Sequence, residues 1–240
     1  MALLTLPDVL EHLAEGRSGG MIGNLQESLL PPESKTRQSD VVNTDDLLSQ
    51  LALADQQWTP QEEILGDGSK RYLYKRRADE ADLSIEDLRK LIESPPSFDR
   101  EQQEILKLLQ TLRRAGVLVL LTEPRKKGAA AEWDHRIGTL RIQPKMTEKG
   151  SADFLRVLGH EAVHVAQSCM AGDLKARPKT LGLVLANPEQ LKQKLSDPVY
   201  SDASRWEQAL ELEAYATQDD SSRIRQLVVK KCKLAMDVAN

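Results

Sequence analysis

Aromatic residues are scarce in this chain: two Phe, three Trp and four Tyr among 240 residues. Its core must therefore be built mainly from Leu, Val, Ile and Ala. There are only two cysteines, Cys169 and Cys232, too few for a disulfide framework. Cys169 reads as a buried thiol, off the ligand-bearing face of its helix. No apolar stretch reaches the roughly 18 residues that a membrane span requires. Met1 to Asp8 opens apolar but lacks a basic n-region, and Pro7 and Asp8 interrupt it. No signal peptide is read there, and the expected location is cytoplasmic. No internal repeat is evident. The net charge of −4 argues against bulk affinity for nucleic acid.

A 40% hydrophobic and 29% charged composition suits a soluble globular protein. The length allows one substantial core or two small ones. Pro7 to Glu15 can form a short helix stopped by Gly16. Residues 16–43 lose periodicity and read as a mobile linker. Thr44 is placed to cap a helix carrying Leu47, Leu48, Leu51 and Leu53. Thr59-Pro60-Gln61-Glu62 has the signature of a helix start. Gly66-Asp67-Gly68 is a turn, with a strand expected over 71–74. Lys70, Arg71, Lys75, Arg76 and Arg77 form the most basic patch. A solvated strand edge explains it better than nucleic-acid binding, because Asp79, Glu80 and Asp82 follow at once. Ser84 starts a helix that Ser94-Pro95-Pro96-Ser97 ends. The expected division is an N-terminal helical and linker region over 1–96, partly mobile, and a main domain over 97–240.

From Asp99 the pattern strengthens. Ile105, Leu108, Leu109 and Leu112 share a helix face that Gly116 closes. Residues 117–121 read as a buried strand. Residues 129–133 and 139–143 can pair as a hairpin. Then comes Leu158-Gly159-His160-Glu161-Ala162-Val163-His164-Val165-Ala166-Gln167, which holds H-E-x-x-H. Phe154, Leu155, Leu158, Ala162, Val165 and Ala166 make the apolar stripe of a helix that ends near Gly172. Two histidines four apart lie about one turn from each other on one face, so both can reach one ion. Neutral imidazoles are good zinc ligands. Glu161 can sit beside such an ion and take a proton from its bound water. Later helices are expected from Pro188 to Leu195, from about Asp202 to Gln218, and after a cap at Ser221 or Ser222.

A catalytic zinc site wants a third protein ligand. His12 lies in the weakly ordered N-terminal part, and His135 in a hairpin turn. The later helix offers Glu207, Glu211 and Glu213. Glu211 and Glu213 point about 200° apart, so only one of them can face the metal.

His160-Glu161-Ala162-Val163-His164 followed by Glu211-Leu212-Glu213-Ala214 resembles the gluzincin metallopeptidases, whose third ligand is a Glu on a later helix. The likeness is greatest to the minimal gluzincins, which include the ImmA/IrrE-like peptidases, and it covers residues 99–218. It implies a zincin-like α+β fold, mostly helical, with a small sheet and hairpin beside the motif helix. It also implies a Zn²⁺ cofactor on His160, His164 and Glu211, with Glu213 as the alternative ligand. Family members often carry an Asp after E-x-x-A. Tyr215 stands there in this chain, which leaves the support of the first histidine unassigned. By the same resemblance, Thr139 to Ile142 would pair with an extended substrate.

The expected function is zinc-dependent hydrolysis of a protein or peptide, with Glu161 as general base. Tyr200, Tyr215 and His135 are the candidate oxyanion or substrate residues. The alternative is an inactive interaction or regulatory domain, zinc-containing or metal-free, and an N-terminal region folded over the cleft would make a latent peptidase. Neither a membrane nor a nucleic-acid partner is expected.

Overall fold

The structure, a computed structural model, describes residues 40–76, 81–185 and 188–235. The fold is α+β and mostly helical, with two small sheets. Helix α1 spans Thr44–Asp55. A hairpin follows, β1 Gln61–Ile64 and β2 Lys70–Leu73. Then come α2 Ile85–Glu93, α3 Asp99–Arg114 and β3 Leu118–Leu121. Strands β4 Ala131–Asp134 and β5 Thr139–Ile142 precede the long motif helix, α4 Ser151–Ala171. The last described elements are α5 Pro188–Lys194, α6 Arg205–Thr217 and α7 Ser221–Lys231. No helix among the described residues is long and apolar enough to cross a membrane. The expected helix at 7–15, and His12 with it, lies outside the described residues.

The motif helix is the axis of the fold. Of its apolar stripe, Phe154, Leu158, Ala162, Val165 and Ala166 are fully buried and Leu155 is partly buried against the same core. The face of α3 carrying Ile105, Leu108, Leu109 and Leu112 joins the same core, as do Ile224 and Val228 of α7. Leu140 and Ile142 of β5 face it from the sheet. Trp133 on β4 reaches the helix and donates its indole N–H to the Ser168 hydroxyl at 2.9 Å. Aliphatic residues dominate this core, as the shortage of aromatics requires.

Several expectations are corrected. The linker read over 16–43 does not extend through Val41 and Val42: Val41 bridges Leu120, the Val42 N–H donates to the Val119 carbonyl at 3.1 Å, and Val42 is buried. Leu47 and Leu51 of α1 enter the main core, so a division at 96/97 cuts through one hydrophobic cluster. Asn43, not Thr44, caps α1. Thr59-Pro60 starts no α-helix, because residues 61–64 pair with 70–73 across the Gly66-Asp67-Gly68 turn. Hairpin pairing outweighs the local capping signal there. Asp220, rather than Ser221 or Ser222, caps α7. The two cysteines are bonded: Cys169 at the end of α4 is joined to Cys232 just beyond α7.

The three-stranded sheet has the order β3-β5-β4, with β5 parallel to β3 and antiparallel to β4. Thr139 to Ile142 therefore uses both of its edges within the sheet. It cannot take a substrate strand, and the outer position next to α4 belongs to β4. In the basic patch, Lys70 pairs with Glu62, Arg71 with Glu63 and Arg76 with Asp82. These contacts fit the solvated strand edge.

Candidate metal centre

One helical turn separates His160 from His164, so their rings project together from α4. Their Nε2 atoms lie 3.3 Å apart. Helix α6 brings in the third group. Ser204 caps it through a capping box with Glu207, which fixes its start. Two turns further along its inner face the Glu211 carboxylate meets the histidines, Oε2 at 3.0 Å from His160 Nε2 and Oε1 at 3.6 Å from His164 Nε2. The three ligand atoms lie within 4.8 Å of one another, a grouping that could hold a metal ion.

Glu213 is not part of this cluster. It is buried on the opposite side of α6, where it accepts the backbone N–H groups of Leu181, Gly182 and Leu183 at 2.6, 2.7 and 3.0 Å. It also accepts the Gln167 amide N–H at 3.0 Å. These four donors explain its burial and decide between the two candidates: Glu211 faces the histidines and Glu213 anchors a loop.

Two glutamines set the tautomers of the histidines. Gln167 donates its amide to the Leu210 carbonyl at 3.1 Å and to Glu213. Its oxygen is therefore the atom turned to His164 Nδ1, at 2.7 Å, and that nitrogen must carry the proton. The Gln218 oxygen sits 3.2 Å from His160 Nδ1 and imposes the same tautomer. Both Nε2 lone pairs thus point at each other and at a carboxylate. Two lone pairs and an anion so placed repel unless a cation lies between them. Gln218 stands where the resemblance left a support unassigned. Its signal in the sequence is its spacing, seven residues or about two turns beyond Glu211 on the same helix face. Gln167 is likewise three residues beyond His164.

Gly159 makes room for this arrangement. A Cβ there would come within 2.8 Å of the Gln218 carbonyl and 3.0 Å of Ile224 Cδ1. The junction of α6 and α7 lies against bare backbone beside His160. The other end of the motif helix is held by Asp55 of α1, whose carboxylate accepts the Ser151 N–H at 2.7 Å and its hydroxyl at 2.6 Å.

The electrostatics follow from this packing. Burial opposes charge on His164, but the charge and hydrogen bond of Glu211 outweigh it and push the imidazole up to about 9. Burial would raise Glu211, yet the two histidines hold it well below the usual carboxylate range. Without a metal, a proton takes the cation's place. Glu161, beside the cluster and buried, is pushed up by desolvation, against the pull of both histidines. It accepts no hydrogen bond among the described residues, so its carboxylate is uncommitted.

Tyr200 donates its hydroxyl to Glu211 Oε2 at 3.2 Å. That uses its one O–H, so Tyr215 is the donor in the 2.6 Å contact between the two phenols. Tyr215 also packs edge-on against His160, with ring centroids 4.7 Å apart. Burial raises both phenols above their ordinary range and keeps them protonated donors. His135 stays in the β4–β5 turn, where burial lowers its pKa and Asp134, Arg136 and Arg177 are the charges acting on it. Of the three oxyanion candidates, the structure brings only the tyrosines to the cluster. Comparison with models of known protein families, with curated proteins and with solved structures found no match.

Proposed function

We propose that this chain is a zinc-dependent metallopeptidase built on the gluzincin plan. The observation that carries the reading is the convergence of the His160 and His164 Nε2 lone pairs with the Glu211 carboxylate, beside an uncommitted Glu161. The donor set fits zinc: two neutral imidazoles and one carboxylate suit it, and three protein ligands leave a position open. Zinc bound there would acidify a water molecule and polarise the scissile carbonyl.

The chain's own residues do the rest. Glu161 takes the proton of the attacking water onto its carboxylate and delivers it to the departing amine nitrogen. Gln167 and Gln218 keep both histidines in the binding tautomer. Tyr200 becomes the oxyanion donor by turning its O–H from Glu211 to the substrate oxygen, and Tyr215, bonded to the same phenol, orients it. The proposed partners are peptide or protein substrates, with neither membrane nor nucleic acid among them. A cytoplasmic location goes with reduced thiols, whereas a bonded Cys169 and Cys232 goes with an oxidising compartment. Thiol trapping in intact cells distinguishes the two.

Elemental analysis tests the site. The expected result is about one zinc per chain, lost in His160→Ala and Glu211→Ala and kept in folded Glu213→Ala. Glu161→Gln is expected to keep zinc and lose hydrolysis. Undiminished cleavage by pure Glu161→Gln protein would refute the mechanism. No zinc after loading would leave an interaction domain as the better reading.

A further inference from the structure

Beside the cluster is a pocket of about 390 Å³, with Tyr200 and Glu211 in its wall. Lys126 and Lys127, on the loop between β3 and β4, line it as well, with Asp202 and Glu207. The base of that loop is tied down: the Arg125 N–H donates to Glu132 at 2.6 Å, and the Arg125 guanidinium to the buried Asp134 at 2.7 Å. The loop then crosses from the sheet to the turn before α6, where the Lys126 ammonium lies 4.9 Å from the centre of the Tyr200 ring. That ring's hydroxyl is bonded to Glu211.

The charges in the pocket are unequal in availability. Glu211 is held by the histidines and Tyr200. One oxygen of Glu207 already accepts the Ser204 N–H and hydroxyl, both at 2.8 Å. Lys126 and Lys127 form no ion pair or hydrogen bond among the described residues. Contact with an aromatic face leaves an ammonium's other donors open. Among the described residues, Lys126 and Lys127 therefore keep open donors, with Glu207 and the exposed Asp202 as the pocket carboxylates that compete for them.

The geometry points to a substrate subsite for a carboxylate, with Lys126 and Lys127 as its specificity residues. The proposal rests on the peptidase reading for its substrate, a peptide carrying an acidic group next to the scissile bond. That group is either an Asp or Glu side chain or the peptide's C-terminus.

The test uses the full chain and four small probes, followed through the backbone amide NMR shifts of Lys126 and Lys127 with and without zinc. N-acetylglutamic α-amide offers a side-chain carboxylate, and N-acetylalanine a terminal one. N-acetylglutamine α-amide offers neither, and N-acetyllysine α-amide offers an ammonium. One or both carboxylate probes are expected to bind about fivefold more tightly than the neutral one, the scale of a partly screened ion pair. The preference should shrink as salt rises. It should vanish in Lys126→Gln/Lys127→Gln, exposed changes that leave the core intact, and survive in Lys126→Arg. The tighter of the two carboxylates identifies the source. Equal binding of all probes, tightest binding of the ammonium probe, or a preference that persists in the double Gln variant would overturn the subsite. A carboxylate preference in protein that takes up no zinc sustains the pocket and overturns the peptidase. Zinc uptake without the preference does the reverse.

Discussion

Replacing Gly159 by Ala should destabilise the protein and loosen its hold on metal, although alanine is the better helix former. On propensity alone, Gly→Ala inside a helix gains about 0.5–1 kcal/mol. Here the new methyl would stand 2.8 Å from the Gln218 carbonyl, and relief to an ordinary contact of 3.4 Å requires a shift of 0.6 Å. Backbone is the obstacle, so no side-chain rotation relieves it. Overpacking of this kind costs about 1–3 kcal/mol. The net expectation is a loss of about 1–2 kcal/mol, with Tm lower by about 3–6 °C for a chain of this size. The same shift, taken along the 3.2 Å contact from His160 Nδ1 to Gln218, breaks that hydrogen bond. Metal affinity should then fall by about tenfold or more. Thermal unfolding of the metal-free protein, paired with a competitive zinc titration, reads both effects. A Tm that rises with unchanged zinc affinity would refute the close approach and the positioning role of Gln218.

Other expectations follow from the same geometry. Gln218→Leu should weaken zinc binding by about 10–100-fold with little change in fold, and Gln167→Leu should do so with added destabilisation, because Glu213 loses a donor. Competitive titration and unfolding curves separate the two. In the metal-free protein the His164 pKa is raised, so its contribution to stability is complete below about 6.5 and is lost as pH rises through about 9. Denaturation in a chelator should show that decline. Calorimetry between these pH values should show zinc binding tightening with pH and releasing about one proton, and a flat profile would contradict the assignment. Asp55→Ala removes two charged acceptor contacts from the start of the motif helix and should cost about 2 kcal/mol in urea unfolding, with Asp55→Asn intermediate.

The motif helix was legible because its signals are local. A three-and-four stripe, a histidine pair and a terminal glycine fix its type, face and end within a residue or two. The opposition of Glu211 and Glu213 was equally legible from helix geometry. Which of them meets the histidines depends on how α6 is rotated, and three backbone N–H groups from a loop about 30 residues earlier settle that. The capping pattern of residues 59–62 points to a helix, but it is worth less than pairing with 70–73. Nothing local in the sequence reveals which core the short helix carrying Leu47 and Leu51, or Val42 before it, joins. Pairing of Cys169 with Cys232 spans 63 residues and leaves no periodic trace.

That bridge also bears on how the ligands find one another. Along the chain, 47 residues separate His164 from Glu211. Through the bridge the path is 26, because Cys169 lies five beyond the histidine and Cys232 lies 21 beyond the glutamate. In an unfolded chain this shortening raises the effective concentration of Glu211 near the histidines by only about 0.5 kcal/mol of loop entropy. The covalent tie is therefore a poor recruiter of the third ligand. Its larger effect is on the ends of α4 and α7, which it prevents from parting while Gln218, at the near end of α7, keeps its oxygen on His160.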